Sequence, residues 1–141
     1  MNLQYQVADE SDCSVIFEQA KNLIDTYEDL DTIDYEKVLA WVKRKITQNI
    51  SQYRCILKNA EKCAYFRLCE DGQLDDLYVL PGFQNKGIGS EILKYCIEIS
   101  PKPIYLYVFS HNCGAIRFYE RSGFTIREAV GETRLIMHRN G

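Results

Sequence analysis

The stretch Leu77-Tyr78-Val79-Leu80-Pro81-Gly82-Phe83-Gln84-Asn85-Lys86-Gly87-Ile88-Gly89-Ser90 constrains what this chain can fold into more than any other. A strand-like apolar run ends at Pro81, a loop follows, and from Ser90 the run Glu91-Ile92-Leu93-Lys94-Tyr95-Cys96-Ile97 has apolar residues at helical spacing. The order is strand, loop, helix. The first turn of a helix has N–H groups without intrahelical partners and carries partial positive charge, so such an end attracts phosphate. Gly87 and Gly89 put no side chain between an anion and those N–H groups, and Lys86 adds a mobile positive charge. The alternative role for the glycines is to cap or pack the helix. Two other phosphate loops are excluded by spacing. The P-loop needs four residues between its first Gly and a Gly-Lys-Ser/Thr, and the dinucleotide fingerprint needs a third glycine where Ile92 stands.

The remaining sequence supplies a scaffold for this unit. Leu3 to Val7 reads as a first strand, and Ser11 or Asp12 as the cap of a helix with Val15, Ile16, Ala20, Leu23 and Ile24 on one face. The acidic stretch Tyr27 to Asp34 reads as a loop, with Asp34 capping a second helix from Tyr35 to about Asn49. That helix turns Val38, Leu39, Val42 and Ile46 inward and Lys43, Arg44 and Lys45 mostly outward. Tyr53 to Lys58 and Lys62 to Glu70 read as strands around Asn59-Ala60-Glu61, and Asp71-Gly72 as a two-residue hairpin leading to Gln73 through Leu80. These strands form an antiparallel meander. Pro101 and Pro103 end the helix after the glycine loop, and Ile104 to Phe109 is a nearly continuous apolar run, as in a strand buried on both faces. Gln73 to Phe109 is therefore a right-handed crossover unit with parallel strands and the loop at their carboxyl end. Ala115 to Ser122 reads as a short helix stopped by Gly123, and Phe124 to Ala129 with Thr133 to His138 as a closing hairpin.

Composition excludes several classes of function. The 141 residues suit a single domain spanning 1–141, and 46% hydrophobic with 12% aromatic content argues for a folded globule. A net charge of −3 gives no electrostatic reason to expect nucleic acid, and it favours a cationic over an acidic substrate. Apolar runs fall well short of the roughly 20 residues of a membrane helix, and Met1 to Tyr5 is unlike a signal peptide. The expectation is a soluble, cytoplasmic protein without a membrane partner. Six cysteines form no C-x-x-C pair and the two histidines lack ligand spacing, so no metal is expected and most cysteines read as small core residues.

Two blocks carry a resemblance to a known family. Gln84-Asn85-Lys86-Gly87-Ile88-Gly89 fits the Gln/Arg-x-x-Gly-x-Gly/Ala signature of the GCN5-related N-acetyltransferase (GNAT) superfamily, preceded by Leu77-Tyr78-Val79-x-Pro81 in the family's usual form. Asn112-Cys113-Gly114-Ala115-Ile116-Arg117-Phe118-Tyr119-Glu120-Arg121-Ser122-Gly123-Phe124 matches its Asn-x-x-Ala-x-x-Phe-Tyr-x-x-x-Gly-Phe element. The close match runs from about Gln73 to Phe124, and the N-terminal part resembles the family in outline.

This resemblance implies an α/β (α+β) fold: a mixed, mostly antiparallel central sheet of about six to seven strands with helices on both faces, the acyl-CoA N-acyltransferase fold. It also implies acetyl-CoA as co-substrate and direct transfer of the acetyl group to a primary amine of a small molecule or peptide. Leu77, Tyr78 and Val79 would hold the pantetheine arm and thioester carbonyl. Gln84, Asn85, Lys86, Gly87, Ile88, Gly89 and Ser90 would cup the pyrophosphate. Asn112 would hydrogen-bond the cofactor, although by position alone it is a helix cap. Tyr119 matches the general acid, since a phenol of pKa ~10 is protonated at neutral pH and can supply the thiolate's proton.

The general base has no family match, because Tyr107 stands where some members carry Glu. Asp75 and Asp76 are the candidates, and alternation along a strand puts them on opposite faces, so at most one meets the substrate. Helices flanking the acidic loop often border the acceptor in this family, which would bring its carboxylates near an amine. A homodimer is compatible with the sequence. The alternative function is a non-catalytic acyl-CoA-binding or regulatory module of the same fold.

Overall fold

The computed structural model describes residues 1–139. Its elements are β1 (Leu3–Val7), α1 (Cys13–Tyr27), α2 (Tyr35–Gln48), β2 (Tyr53–Lys58), β3 (Glu61–Leu68), β4 (Leu74–Val79), α3 (Ile88–Ile99), β5 (Tyr105–Phe109), α4 (Cys113–Arg121), β6 (Phe124–Val130) and β7 (Arg134–Arg139). The strands form two antiparallel sheets, ordered β1-β2-β3-β4 and β5-β7-β6. A parallel bridge between Gln73 and Tyr105 joins them. This is the expected mixed α/β architecture, with the central sheet parted between β4 and β5.

Sequence period decides which face each helix covers. In strands successive side chains point to opposite faces, and in helices residues four apart share a stripe. Tyr53, Cys55 and Tyr65 therefore meet Ile16, Ala20 and Ile24 of α1 and Val42 and Ile46 of α2. Ile56, Ala64 and Phe66, pointing the other way, meet Ile88, Ile92, Leu93 and Cys96 of α3, and Phe118 and Tyr119 of α4 pack against the same cluster. Three of the cysteines, Cys55, Cys63 and Cys96, are buried core residues, while Cys113 is exposed. No helix is long and apolar enough to cross a membrane among the described residues.

The local signals differ from expectation in three places. Asp12 stands at the N-cap position of α1 but makes no side-chain capping bond, and Asp9 caps a short 3-10 turn (Glu10–Asp12) ahead of it, accepting from the Ser11 N–H at 2.9 Å. The Asp12 carboxylate is turned inward, taking the Asp9 N–H at 3.0 Å, Lys62 Nζ at 2.8 Å and the Tyr65 hydroxyl at 2.7 Å. β5 is not buried on both faces: Tyr107 is 44% exposed and lines the cleft that opens where β5 parts from β4.

The third difference is the connection before β4. It spans Cys69 to Gln73, with Gly72 N donating to Cys69 O at 3.0 Å and Cys69 N to Gln73 O at 2.8 Å. Gly72, at φ +97°, is needed for more than its turn. A Cβ there would lie 2.3 Å from Pro103 O, and its own carbonyl accepts from Tyr105 N at 3.2 Å. This glycine is where the two sheets touch.

Gly72→Ala is expected to destabilise the protein by about 3 kcal/mol, since it combines left-handed strain with a backbone collision that no side-chain movement relieves. Chemical denaturation of the wild type and the variant measures it.

Candidate active site

β4 and β5 run parallel only at the Gln73–Tyr105 bridge and then diverge. On its other side β4 is fully paired, with Asp76, Leu77, Tyr78 and Val79 opposite Arg67, Phe66, Tyr65 and Ala64 of β3. Backbone groups along an antiparallel strand point alternately toward and away from the partner. Leu80 N donates to Cys63 O at 2.9 Å, so Leu80, Tyr78 and Asp76 point theirs at β3. Leu77 and Val79 point theirs into the gap. The Val79 carbonyl there accepts from Gln84 Nε2 at 3.0 Å.

The loop that follows is shaped by its own residues. Phe83 N donates to Leu80 O at 3.0 Å, and with Pro81 second and Gly82 third at φ +92° this is a type II turn. Asn85 (φ 62°) and Gly87 (φ 81°) then bend the chain into α3, which begins at Ile88, two residues earlier than its apolar spacing indicates. Gly87 provides no side-chain cap, and the first helical bond is Glu91 N to Gly87 O at 3.1 Å. The N–H groups of Ile88, Gly89 and Ser90 therefore lead the helix without an intrahelical acceptor. Gly89 has a packing role as well. A Cβ on it would lie 3.4 Å from Phe118 Cζ and 3.6 Å from Val79 Cγ2, so its small size lets α3, α4 and β4 converge beside the gap.

On the far side of the gap, Asn112 caps α4, its Oδ1 accepting from Ala115 N at 3.1 Å. It also lines the cleft with Tyr119. The Tyr119 hydroxyl has no hydrogen-bond partner among the described residues, and it is not sealed in the interior. Burial pushes its pKa above that of an ordinary phenol, with the negative charge of Asp76 adding to the rise.

The cleft has a volume of about 630 Å³ and runs from Gln84 and Pro81 past the parted strands to α1 and α2. Asp75 and Asp76 sit on its wall, and their arrangement corrects the alternation argument. β4 carries a bulge: Leu74 and Asp76 oppose Leu68 and Arg67, and Asp75 is the extra residue between them. A bulge breaks the two-residue period. Both carboxylates consequently meet the same lysine, Lys45 Nζ lying 3.1 Å from Asp75 and 3.5 Å from Asp76. Asp75 also pairs with Arg67 at 2.8 Å. Asp76, only 8% exposed, accepts from the hydroxyls of Tyr53 and Tyr78. Burial beside Asp76 raises the pKa of both phenols.

Lys45, Arg67, Tyr53, Trp41 and Arg134 have no counterpart among the sequence-derived candidates. Lys45 is the exception to the outward basic cluster on α2, and it lies 5.8 Å from the Trp41 ring. No spacing rule signals these residues, because they arrive from separate elements. Of the acidic loop, Glu28 lines the cleft, while Asp34 caps α2 through Lys37 N at 3.3 Å.

The two antiparallel sheets thus part around a cleft that holds a phenol and a charged wall. The sequence profile described as "Acetyltransferase (GNAT) family" matches residues 22–124, and the chain belongs to that family. Curated relatives match over shorter stretches. An uncharacterized N-acetyltransferase of Methanocaldococcus jannaschii is 35% identical over 65 residues, 43% of this chain and 29% of the relative. The spermine/spermidine N(1)-acetyltransferase of Bacillus subtilis (strain 168) is 39% identical over 56 residues, 36% of this chain and 37% of the relative. The matches thus span about a third of these relatives' length. Among solved structures, the PaiA N-acetyltransferase of Thermoplasma acidophilum in complex with coenzyme A superposes with a TM-score of 0.71 at 18% identity, covering 100% of both chains.

Removing the Asp76 carboxylate would orphan the hydroxyl of Tyr53, which is 0% exposed. Asp76→Ala is expected to cost about 3 kcal/mol in chemical denaturation, and Tyr53→Phe about 1 kcal/mol, because Asp76 keeps its other partners.

Proposed function

We propose that the protein is an acetyl-CoA-dependent N-acetyltransferase, a single domain over 1–141, that transfers the acetyl group directly to a primary amine. The observation that carries this reading is the strand gap. The main-chain groups of Leu77 and the N–H of Val79, turned away from β3, face a cleft lined by Gln84 at one end and by Tyr119 along it, and the leading N–H groups of α3 follow Gln84 in the chain. That arrangement suits a long, phosphate-bearing thioester, and the Thermoplasma relative of this fold is a coenzyme A complex.

In this reading the main-chain amides from Gln84 through Ser90 hold the pyrophosphate, with Lys86 beside them and Gly87 leaving them open. Gln84 props the Val79 carbonyl. The thioester lies along Leu77, Tyr78 and Val79, and the gap-facing N–H groups of Leu77 and Val79 stabilise the oxyanion as the amine attacks the carbonyl carbon. Asn112 holds the mouth of α4 and has its amide nitrogen left for the cofactor. As the C–S bond breaks, Tyr119 gives the thiolate its proton. The acceptor's ammonium loses its proton to cleft water. Of the two candidate bases Asp76 has the better path, because it lines the cleft beside the Tyr78 hydroxyl, which donates to its Oδ1 at 2.7 Å. Asp75 is held by both Arg67 and Lys45. No cluster of three metal-ligating side chains is present among the described residues, and the mechanism calls for none.

Tyr119→Phe is expected to lower kcat about 100-fold, with coenzyme A affinity within about twofold of wild type, when amine-dependent CoA release is followed chromatographically. A catalytic role for Tyr119 is refuted if turnover survives intact. The raised phenol pKa fixes the sign of the pH effect: Tyr119 stays protonated past the ordinary phenol range, so its loss as an acid contributes no falling limb below about pH 10.

A further inference from the structure

The charged side chains on the cleft wall are Glu28, Lys45, Asp75, Asp76 and Arg134. Their pairing is uneven. Asp75 and Asp76 are satisfied from within the protein: Lys45 lies 3.1 and 3.5 Å from them, Arg67 lies 2.8 Å from Asp75, and Asp76 takes two tyrosine hydroxyls. Side-chain exposures of 19% for Lys45, 15% for Asp75 and 8% for Asp76 make this an enclosed cluster rather than a loose surface pair. An incoming ammonium would find these carboxylates already occupied by a tethered one. It would also meet that cation's repulsion, which is strong where water is scarce. Glu28, at the end of α1, accepts the Asp29 N–H at 3.1 Å. Arg134 opens β7, is exposed opposite Phe109, and has no ion-pair or hydrogen-bond partner for its side chain among the described residues. A guanidinium in that position offers a paired donor fork suited to a carboxylate.

We propose that Lys45 and Arg134 determine acceptor specificity: the amine carries a neutral or carboxylate-bearing remainder, and Lys45 excludes di- and polyamines by holding the Asp75–Asp76 pair. The proposal rests on the amine acceptor argued above and specifies its class. It also separates this chain from the Bacillus relative, whose name specifies spermine and spermidine.

Three probes of one chain length differ only at the far end: butylamine, 4-aminobutyrate and putrescine. Trp41 is the sole tryptophan, lines the cleft and lies 5.8 Å from Lys45, so its fluorescence reports occupancy without any turnover. In the coenzyme A-loaded protein, 4-aminobutyrate should bind at least tenfold more tightly than putrescine, with butylamine between them. Lys45→Met should raise putrescine affinity about tenfold while Lys45→Arg retains exclusion, a pattern that loss of folding cannot produce. Arg134→Gln should weaken 4-aminobutyrate about tenfold and leave butylamine unchanged. Putrescine binding the wild type most tightly, ratios that do not respond to Lys45→Met, or no binding by any probe overturns the proposal. The predicted order of binding without CoA release from acetyl-CoA leaves the specificity inference standing and instead refutes acetyl transfer.

Discussion

The parting of β4 from β5 is the constraint on which the rest depends. A strand edge inside a protein must have its N–H and C=O groups satisfied, and an edge left open to solvent invites pairing. Here the edge begins paired, at Gln73–Tyr105, and is then released. Gly72 makes the release possible, because its lack of a side chain lets the Pro103 carbonyl close over the seam and fixes β5 beside the start of β4. Beyond that hinge, Gln84 satisfies the Val79 carbonyl and the other gap-facing groups are left for a ligand. Gly89 brings α3 against Phe118 and Val79, which sets the width of the opening and places Tyr119 along it.

The same strand carries a second irregularity with a different consequence. The bulge at Asp75 turns two consecutive carboxylates toward α2, where regular alternation would have sent one to the α3 side. Two nearly buried acids side by side are tolerated only with compensating cations and donors. Lys45, Arg67, Tyr53 and Tyr78 supply these, and they tie α2, β2, β3 and β4 into one polar cluster. Such a cluster contributes little net stability compared with apolar packing. Its effect is to set the field in the cleft.

How far each half could be read from sequence follows from how it is built. The backbone shape beside the gap is written in short, local patterns: Pro81-Gly82 for the turn, Gly87 and Gly89 for the helix start, Asn112 for the next cap. The meander of β1 to β4 is legible for a similar reason, since hairpins keep partners close in sequence. The acceptor wall is assembled differently. Whether Asp75 and Asp76 face one way or two depends on the register of β3, and Lys45 looks like one more solvated base on α2 until β4 is placed against it. Tyr107 fails in the same manner. An apolar run reads as buried, but β5 loses its neighbour beyond one bridge, and exposure follows from that loss rather than from the residues themselves.

This difference has a consequence for how such a cleft selects its acceptor. A grip made of backbone amides is indifferent to most side-chain changes, so the cofactor end can stay constant while the other end varies. The proposed acceptor end rests on a few charges delivered by α1, α2, β4 and β7. The net charge of −3 acts on an approaching substrate from a distance, and the proposed specificity acts within the cleft. Screening at physiological ionic strength limits exposed charges to a range of about 8 Å, whereas paired groups inside a low-dielectric cleft act at close range and almost unscreened. Whether an amine arriving there is attracted or repelled depends on which charges remain unpaired on the wall. Lys45 and Arg67 together balance Asp75 and Asp76, and among the described residues Glu28 and Arg134 are the wall charges without an ion-pair partner.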